Sequence, residues 1–190
     1  MFILESSRLV MRDYRESDLA DYHKMMSDKK NLYFLPGLIT NTIEESQKSL
    51  KDTIEHNSKG RGFRFCISLK ESGKLIGAVG YEIPFITPAG KIADPMGWFM
   101  LPEHQNKGYM TEAVKRVLEF AFLQDNCLRD VTACFKENIP TQKVMAKVGF
   151  RKEAEKLSAM WLDGQMRDRL EFAINKDEYL HMGKIGSMDG

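Results

Sequence analysis

Apolar residues recur along this chain in two rhythms, one with a period of two and one with the period of a helix, and their succession predicts a layered α/β protein. Arg8-Leu9-Val10-Met11-Arg12 alternates as a first strand. From Asp18 the apolar positions become Leu19, Tyr22, Met25 and Met26, which is one side of a helix. Thr42-Ile43-Glu44-Glu45 reads as a capping box, the threonine hydroxyl accepting from the third amide while Glu45 reaches back; Ile43, Gln47, Leu50 and Ile54 continue at helical spacing. Two strand-like runs follow, Phe63–Ile67 and Leu75–Tyr81, separated by a turn at Lys70-Glu71-Ser72-Gly73-Lys74. Met96–Leu101 is a nearly continuous apolar strand that Pro102 stops. Val114, Val117, Leu118, Ala121 and Phe122 then form the stripe of a helix packed on a sheet. Val131–Phe135 returns as a strand, and a short helix spans Ile139 to Val148, with Pro140 in its first turn and Gly149 as its stop. Asp163-Gly164 joins two last strands as a hairpin. The order β-α-α-β-β-β-α-β-α-β-β describes an α/β fold with a mixed sheet, expected as one domain over residues 1–181 with a small polar, flexible tail at 182–190.

Composition narrows the function classes. A chain of 190 residues is long enough to bury one core. Its 28 Lys and Arg stand against 27 Asp and Glu, too even for the broad electropositive surface that nucleic acid or an anionic membrane requires, so neither partner is expected. No apolar run approaches the roughly 18 residues of a membrane span, and the first residues lack the pattern of a signal peptide, so a cytoplasmic protein is expected. Cys66, Cys127 and Cys134 have no CxxC or Cys/His spacing, which argues against a disulfide framework or a zinc site and for buried thiols; no metal is expected.

Two segments carry candidate chemistry. In Gln105-Asn106-Lys107-Gly108-Tyr109-Met110-Thr111, consecutive backbone N–H groups arrive at a helix N-terminus where they lack intrahelical partners, Gly108 permits a tight turn, and Lys107 adds a cation. Alone this is a common strand-loop-helix, and it is neither a Walker loop nor a dinucleotide fingerprint. The second segment is Asn138-Ile139-Pro140-Thr141 with Val144, Lys147, Gly149 and Phe150; on spacing alone it reads as a capped short helix, Asn138 or Thr141 bonding local amides.

Taken together and in this order, Gln-x-x-Gly-x-x-Thr-Glu-Ala, a strand, and Asn-x-Pro-Thr-x-x-Val-x-x-Lys-x-Gly-Phe resemble the GNAT superfamily of N-acyltransferases, in particular its ribosomal-protein N-terminal acetyltransferase branch. Further matches are Arg8–Arg12, Lys74-Leu75-Ile76-Gly77, Phe150-Arg151-Lys152-Glu153-Ala154 and Asp163–Asp168, so the resemblance runs from residue 6 to about 180. It implies the acyl-CoA N-acyltransferase fold, a splayed mixed sheet flanked by helices, and acetyl-CoA as cosubstrate. The pantothenate arm would pair with the backbone of Trp98, Phe99 and Met100, and the amides from Asn106 through Thr111 would hold the pyrophosphate. Asn138 would bond the pantetheine arm, and Thr141 stands where this branch usually has a serine near the thioester sulfur. Lys143, Lys147, Arg151 and Lys152 either supply charge for the cofactor phosphates or form a solvated face.

The sequence departs from the family pattern at three places. A usually small residue is Met110, whose bulk must point away from the phosphates. A frequent acidic residue two before Gly97 is Pro95, with Asp94 displaced by one. The tyrosine that protonates the departing thiolate in many relatives falls on Met145, which cannot donate a proton. Asp94 and Glu82 are the carboxylates left as candidate bases, with His104 or a water chain as other proton acceptors; exposed loop carboxylates are the competing account of both acids. Cys134 either faces the thioester or fills the sheet, and Trp161 and Arg167 either shape an acceptor pocket or pack across strands.

The amine itself argues about the acceptor. An N-terminal α-amine with a pKa near 7.7–8.0 is already roughly 10–20% neutral at pH 7, whereas a lysine ε-amine lies about 3.4 units away, a deficit of roughly 4.6 kcal/mol. The missing conventional base therefore leans toward an α-amine. The expected reaction is direct acetyl transfer from acetyl-CoA to an amine in a ternary complex, by positioning and backbone N–H stabilisation of the oxyanion. Acetylation of a polyamine, amino acid or aminoglycoside is the alternative enzyme, and a CoA-binding sensor that has lost turnover is the alternative outside enzymes. Monomer and homodimer both remain open.

Overall fold

The Thr42 hydroxyl accepts the amide of Glu45 at 3.2 Å and opens helix α2 (Ile43–Ser58), while Glu45 Oε2 reaches back to the amide of Asn41, one residue earlier than a capping box requires. These distances, and those below, come from a computed structural model that describes residues 2–185, with side chains through residue 182. The expected apolar stripe of α2 is rotated. Ile43 is exposed, and the buried positions are Ser46, Leu50 and Thr53. Ser46 tolerates complete burial because its hydroxyl lies 2.6 Å from Thr40 Oγ1 and 2.7 Å from His23 Nδ1. Polar residues on the inner face of a helix are invisible to a hydrophobic-period reading, which assigned that face to Ile43 and Gln47.

The chain forms two compact units, Met1–Glu82 with Gly97–Val117, and Ile83–Met96 with Leu118–Gly190. The first holds β1 (Ile3–Glu5), β2 (Leu9–Asp13), α1 (Leu19–Ser27), α2, β3 (Gly62–Leu69) and β4 (Leu75–Glu82). These strands pair antiparallel in chain order, and β7 (Met96–Met100) completes the five-stranded sheet as its terminal strand beside β4. The stripe read from α1 is the one that packs: Tyr22, Met25 and Met26 are buried with Tyr14, Leu32, Leu50, Cys66, Leu75 and Leu101. Arg12 in β2 grips Asp18 through two 2.8 Å hydrogen bonds just ahead of α1. Its guanidinium and the Arg15 amide hold that carboxyl below its ordinary value against the opposing effect of burial.

The second unit holds β5 (Phe85–Ile86), β6 (Lys91–Ala93), β8 (Cys127–Phe135), α4 (Ile139–Val148), β9 (Arg151–Leu162), β10 (Gln165–Asn175) and α5 (Lys176–Ile185). Its sheet runs β5-β6-β8-β10-β9, with β6 and β8 parallel and the other pairs antiparallel. Asp163 and Gly164 both take positive φ, 49° and 74°, as a type I′ hairpin between long right-twisting strands demands. Gly149 ends α4 at φ 96°. The α/β class with mixed pairing is thus borne out, its strands divided between two sheets rather than gathered in one.

Four elements lie outside the expected order: β1, β5, β6 and α5. Strands of two or three residues carry no periodicity and exist through their partners. β1 pairs Ile3 with Arg12, and β5 returns to β6 around a turn in which the Thr87 amide bonds the Gly90 carbonyl. Helix α5 begins where the Asn175 amide donates to Glu178 Oε2, and its Tyr179 ring lies 5.2 Å from Phe122 on α3 (Tyr109–Leu123). It carries residues 182–185 of the expected tail, and residues 186–190 lie outside the described residues. Among the described residues no helix is long and apolar enough to cross a membrane.

Candidate active site

Pro102 ends β7 in a single 3-10 turn, Pro102–His104, and the chain then crosses to α3 through Gln105–Gly108. Gln105 does not reach outward: its Nε2 donates 2.8 Å to the carbonyl of Met100, tying the loop to the strand before it. Two loop residues are left-handed, Asn106 at φ 60° and Gly108 at φ 80°. At Gly108 a side chain would find open space, with only the Arg8 guanidinium 3.5 Å away, so conformation and not crowding calls for glycine there. The Gly108 carbonyl accepts from Glu112 at 3.0 Å and starts the helix. Among the described residues, none of the six amides from Asn106 to Thr111 donates to a protein acceptor. A run of free N–H groups at the positive end of a 15-residue helix, in a backbone with two left-handed residues, has the chemistry that an anion site requires. Met110 is buried, its bulk away from solvent, and only its amide belongs to the loop surface.

The loop is held by Arg8, the residue just ahead of β2. Arg8 donates from Nε to Glu112 Oε2 at 2.8 Å and from Nη1 to the Lys107 carbonyl at 3.2 Å, and its guanidinium carbon lies 4.4 Å from the centre of the Tyr109 ring. Glu112 Oε1 takes the Arg8 amide at 2.8 Å, the Ser6 hydroxyl at 2.8 Å and the Ser7 hydroxyl at 3.0 Å. Burial alone would raise this carboxyl; the Arg8 amide, the two hydroxyls and the guanidinium outweigh it and hold it at about 2. In the sequence Arg8 and Glu112 are only matches to a pattern, since nothing local says that residues so far apart share one knot. His104 is packed at the base of the loop with its ring centre 6.5 Å from that of Tyr109; burial and the charge of Lys74 lower its pKa.

Trp98, Phe99 and Met100 lie on the terminal strand of their sheet, so one row of β7 backbone groups is unpaired within that sheet. On the other side β4 comes unusually near, because a Cβ at Gly77 would overlap the Phe99 carbonyl oxygen and lie 3.0 Å from Met100 Cα.

In the second unit, Asn138 is the N-cap of α4: its Oδ1 accepts the Thr141 amide at 3.3 Å. The cap uses only the oxygen, and among the described residues neither Asn138 Nδ2 nor the Thr141 hydroxyl has a partner. The structural and functional readings of Asn138 are therefore compatible. Met145 is fully buried and fills the core. Cys134 is buried too, its thiol pushed up to about 11 by desolvation, which suits packing rather than reaction.

The two carboxylates differ. Glu82, at the end of β4, has one oxygen 2.9 Å from Arg64 Nε and the other 2.9 Å from His56 Nε2. Asp94 is half-buried and, among the described residues, engages no hydrogen bond or ion pair. Beside it in β8 is Asp130, paired in register with Ala93, wholly buried and with neither oxygen bonded. Burial first, and the Asp94 charge second, push Asp130 well above the ordinary carboxylate range. Of the four basic residues near α4, Arg151 and Lys152 are committed to Glu178, Glu153 and Glu155, while Lys143 and Lys147 are exposed on the helix. Trp161 is two-thirds exposed beside Met166 on the hairpin, and Arg167 faces Glu137 at 3.7 Å.

Known proteins match this chain in family and fold. Residues 8–151 match the family model of the acetyltransferase (GNAT) domain. The uncharacterized N-acetyltransferase YnaD of Bacillus subtilis strain 168 is 29% identical over 177 residues, 93% of this chain and 98% of that relative. Two solved structures share the fold over nearly their whole length. The ribosomal L7/L12 alpha-N-protein acetyltransferase RimL in complex with coenzyme A aligns with a TM-score of 0.80 at 20% identity, covering 93% of this chain and 99% of that one. The ribosomal-protein-S5-alanine acetyltransferase from Vibrio fischeri gives 0.79 at 23%, covering 94% and 99%. With a family model spanning both the cradle and the capped helix, the chain belongs to the GNAT acetyltransferase family and is an acetyl-transferring enzyme.

Proposed function

We propose that the protein moves acetyl from acetyl-CoA to the α-amine at the N-terminus of a protein or peptide, by direct transfer. The observation that carries the cosubstrate is the row of six unpartnered amides from Asn106 to Thr111, already shaped for a phosphate. In this reading those amides, with Gln105 and Lys107 framing them, hold the pyrophosphate, and the free backbone edge at Trp98–Met100 pairs with the pantothenate arm. Asn138 keeps its cap through Oδ1 and donates from Nδ2 to the pantetheine arm; the Thr141 hydroxyl stands by the sulfur. The likeness in fold to two enzymes named for ribosomal proteins, one of them as an alpha-N-protein acetyltransferase, supports the acceptor class.

The chemistry asks little of the protein beyond positioning. The neutral amine attacks the thioester carbonyl carbon, a C–N bond forms, the C–S bond breaks, and CoA leaves as the thiolate. One proton leaves the nitrogen, and of the two acids Asp94 is the candidate acceptor, because it engages no hydrogen bond or ion pair among the described residues while one Glu82 oxygen is bonded by the Arg64 guanidinium. Met145 lies in the core and cannot donate a proton as the usual phenol does, so in this reading the thiolate takes its proton from solvent.

The test is to incubate the full chain with acetyl-CoA and three acceptor sets: peptides with free α-amines, the same peptides N-blocked but carrying lysine, and spermidine or an aminoglycoside. Thiol release with the first set alone is expected. Release only with the polyamine or aminoglycoside would overturn the acceptor assignment, and an inability to bind CoA by calorimetry would overturn the cosubstrate.

A further inference from the structure

The loop that bears the six free amides is tied to β7 by its own Gln105 and is held at its other end by a side chain from far back in the sequence. Arg8 is the only residue among those described that touches the loop carbonyl at Lys107, the Tyr109 ring and the Glu112 carboxylate together. Its Nη2 also lies 2.7 Å from Glu112 Oε2 and 3.5 Å from where a Cβ on Gly108 would be. Glu112 is in turn saturated by Ser6, Ser7 and the Arg8 backbone, so the arginine is planted on a rigid base. A planar guanidinium can serve carboxylate, carbonyl and ring at once; an ammonium cannot.

Resting on the acetyl-CoA reading above, we infer that Arg8 is a positioning residue of the phosphate cradle: it holds the amides Asn106–Thr111 in their left-handed, phosphate-ready arrangement before the cosubstrate arrives. A carbonyl at Lys107 that is pinned by the guanidinium turns the neighbouring peptide N–H groups away from it, and a Tyr109 ring pinned beneath the same group fixes the first residue of α3. Preorganisation of this kind appears as affinity, because a loose loop loses conformational freedom on binding and a fixed one does not. The consequence is selective. Only the diphosphate part of the cosubstrate meets these amides, so losing Arg8 should weaken binding of that part and leave the transfer step alone.

The experiment compares the full-length wild type with Arg8→Ala, Arg8→Lys and Glu112→Gln, using acetyl-CoA and S-acetylpantetheine, which has the thioester arm and no diphosphate. For Arg8→Ala, KM for acetyl-CoA is expected to rise about tenfold with kcat nearly unchanged, while kcat/KM for S-acetylpantetheine stays at the wild-type value. Arg8→Lys should recover about a third of the loss, keeping charge without the fork, and Glu112→Gln should fall between the two. Equal losses on both thioesters, or no loss on acetyl-CoA, would overturn the inference. If Arg8→Ala does not fold, Arg8→Lys and Glu112→Gln give the same comparison. A wild type that binds no CoA would instead overturn the parent reading, so the two failures are distinguishable.

Discussion

The hydroxyl of Thr132 donates a 2.6 Å hydrogen bond to the main-chain carbonyl of Met96, joining the middle of β8 to the first residue of β7. Thr132 is buried, so water is not at hand to replace the bond. Replacing it with valine keeps the shape and leaves a buried carbonyl unsatisfied, which costs about 1–3 kcal/mol. Thr132→Val should lower the urea midpoint accordingly, and Thr132→Ser, which keeps the donor, should lose less. Equal stability of the valine and threonine proteins would mean that Met96 finds another donor.

Two glycines of the site are required for opposite reasons, and alanine separates them. At Gly77 a methyl group would strike the backbone of Phe99 and Met100, which cannot move without opening the β4–β7 pairing. Gly77→Ala should therefore cost several kcal/mol, on the order of the larger core overpacking penalties, and deplete folded protein. At Gly108 there is room, and the cost is the φ of 80° alone, about 1–2 kcal/mol. Gly108→Ala should fold with a slightly lower Tm and bind CoA less tightly, because relief of the strain turns the amides away. A Tm lowered more by Gly108→Ala than by Gly77→Ala would contradict this assignment.

Much of this was legible in the sequence because it is local. Asn138, Pro140 and Gly149 bracket α4 through rules that act within a few residues, and Asp163-Gly164 dictates its own hairpin. The first turn of α3 and its glycine were likewise marked. What escaped is long-range. The Arg8–Glu112 knot joins residues 104 apart, and the commitment of Glu82 to Arg64 and His56 depends on a sheet register and a helix end that no spacing predicts. Polar burial also escaped: Ser46 and Asp130 occupy positions where a hydrophobic pattern expects apolar side chains.

Two shielded carboxylates, Glu112 half-buried and Asp130 wholly buried, should give the stability profile slopes of opposite sign. Glu112 is depressed from 4.5 to about 2, so its contribution is complete above the unfolded value and is lost as pH falls toward about 2. The size of that contribution is on the order of 3 kcal/mol. Asp130 is raised, so the folded protein keeps a proton that the unfolded chain releases above 3.8, and stability declines as pH climbs beyond that point. Glu112→Gln should thus be less stable than wild type near neutrality and converge with it in strong acid. Asp130→Asn should be more stable near neutrality and match wild type below the unfolded carboxylate range. Urea titrations across the acid-to-neutral range check both, and a Glu112→Gln deficit that persists undiminished at about pH 2 would contradict the ionic part of the argument.

The proposed proton acceptor, Asp94, can be separated from its rival Glu82 by pH. At about pH 7 an α-amine is roughly 10–20% neutral, so a base that removes its proton gains about five- to tenfold at most; well above the amine pKa that gain vanishes. Asp94→Asn should therefore lower kcat/KM about fivefold near neutrality and approach wild type near pH 9. Glu82→Gln should behave differently. It loosens Arg64 and His56, a partly exposed cluster worth about 1 kcal/mol or less, and so shifts the unfolding midpoint while leaving the pH–rate profile in place. A pH-dependent loss in Glu82→Gln with none in Asp94→Asn would reverse the assignment. A large loss that does not shrink with pH in Asp94→Asn would instead make Asp94 a residue that orients the acceptor.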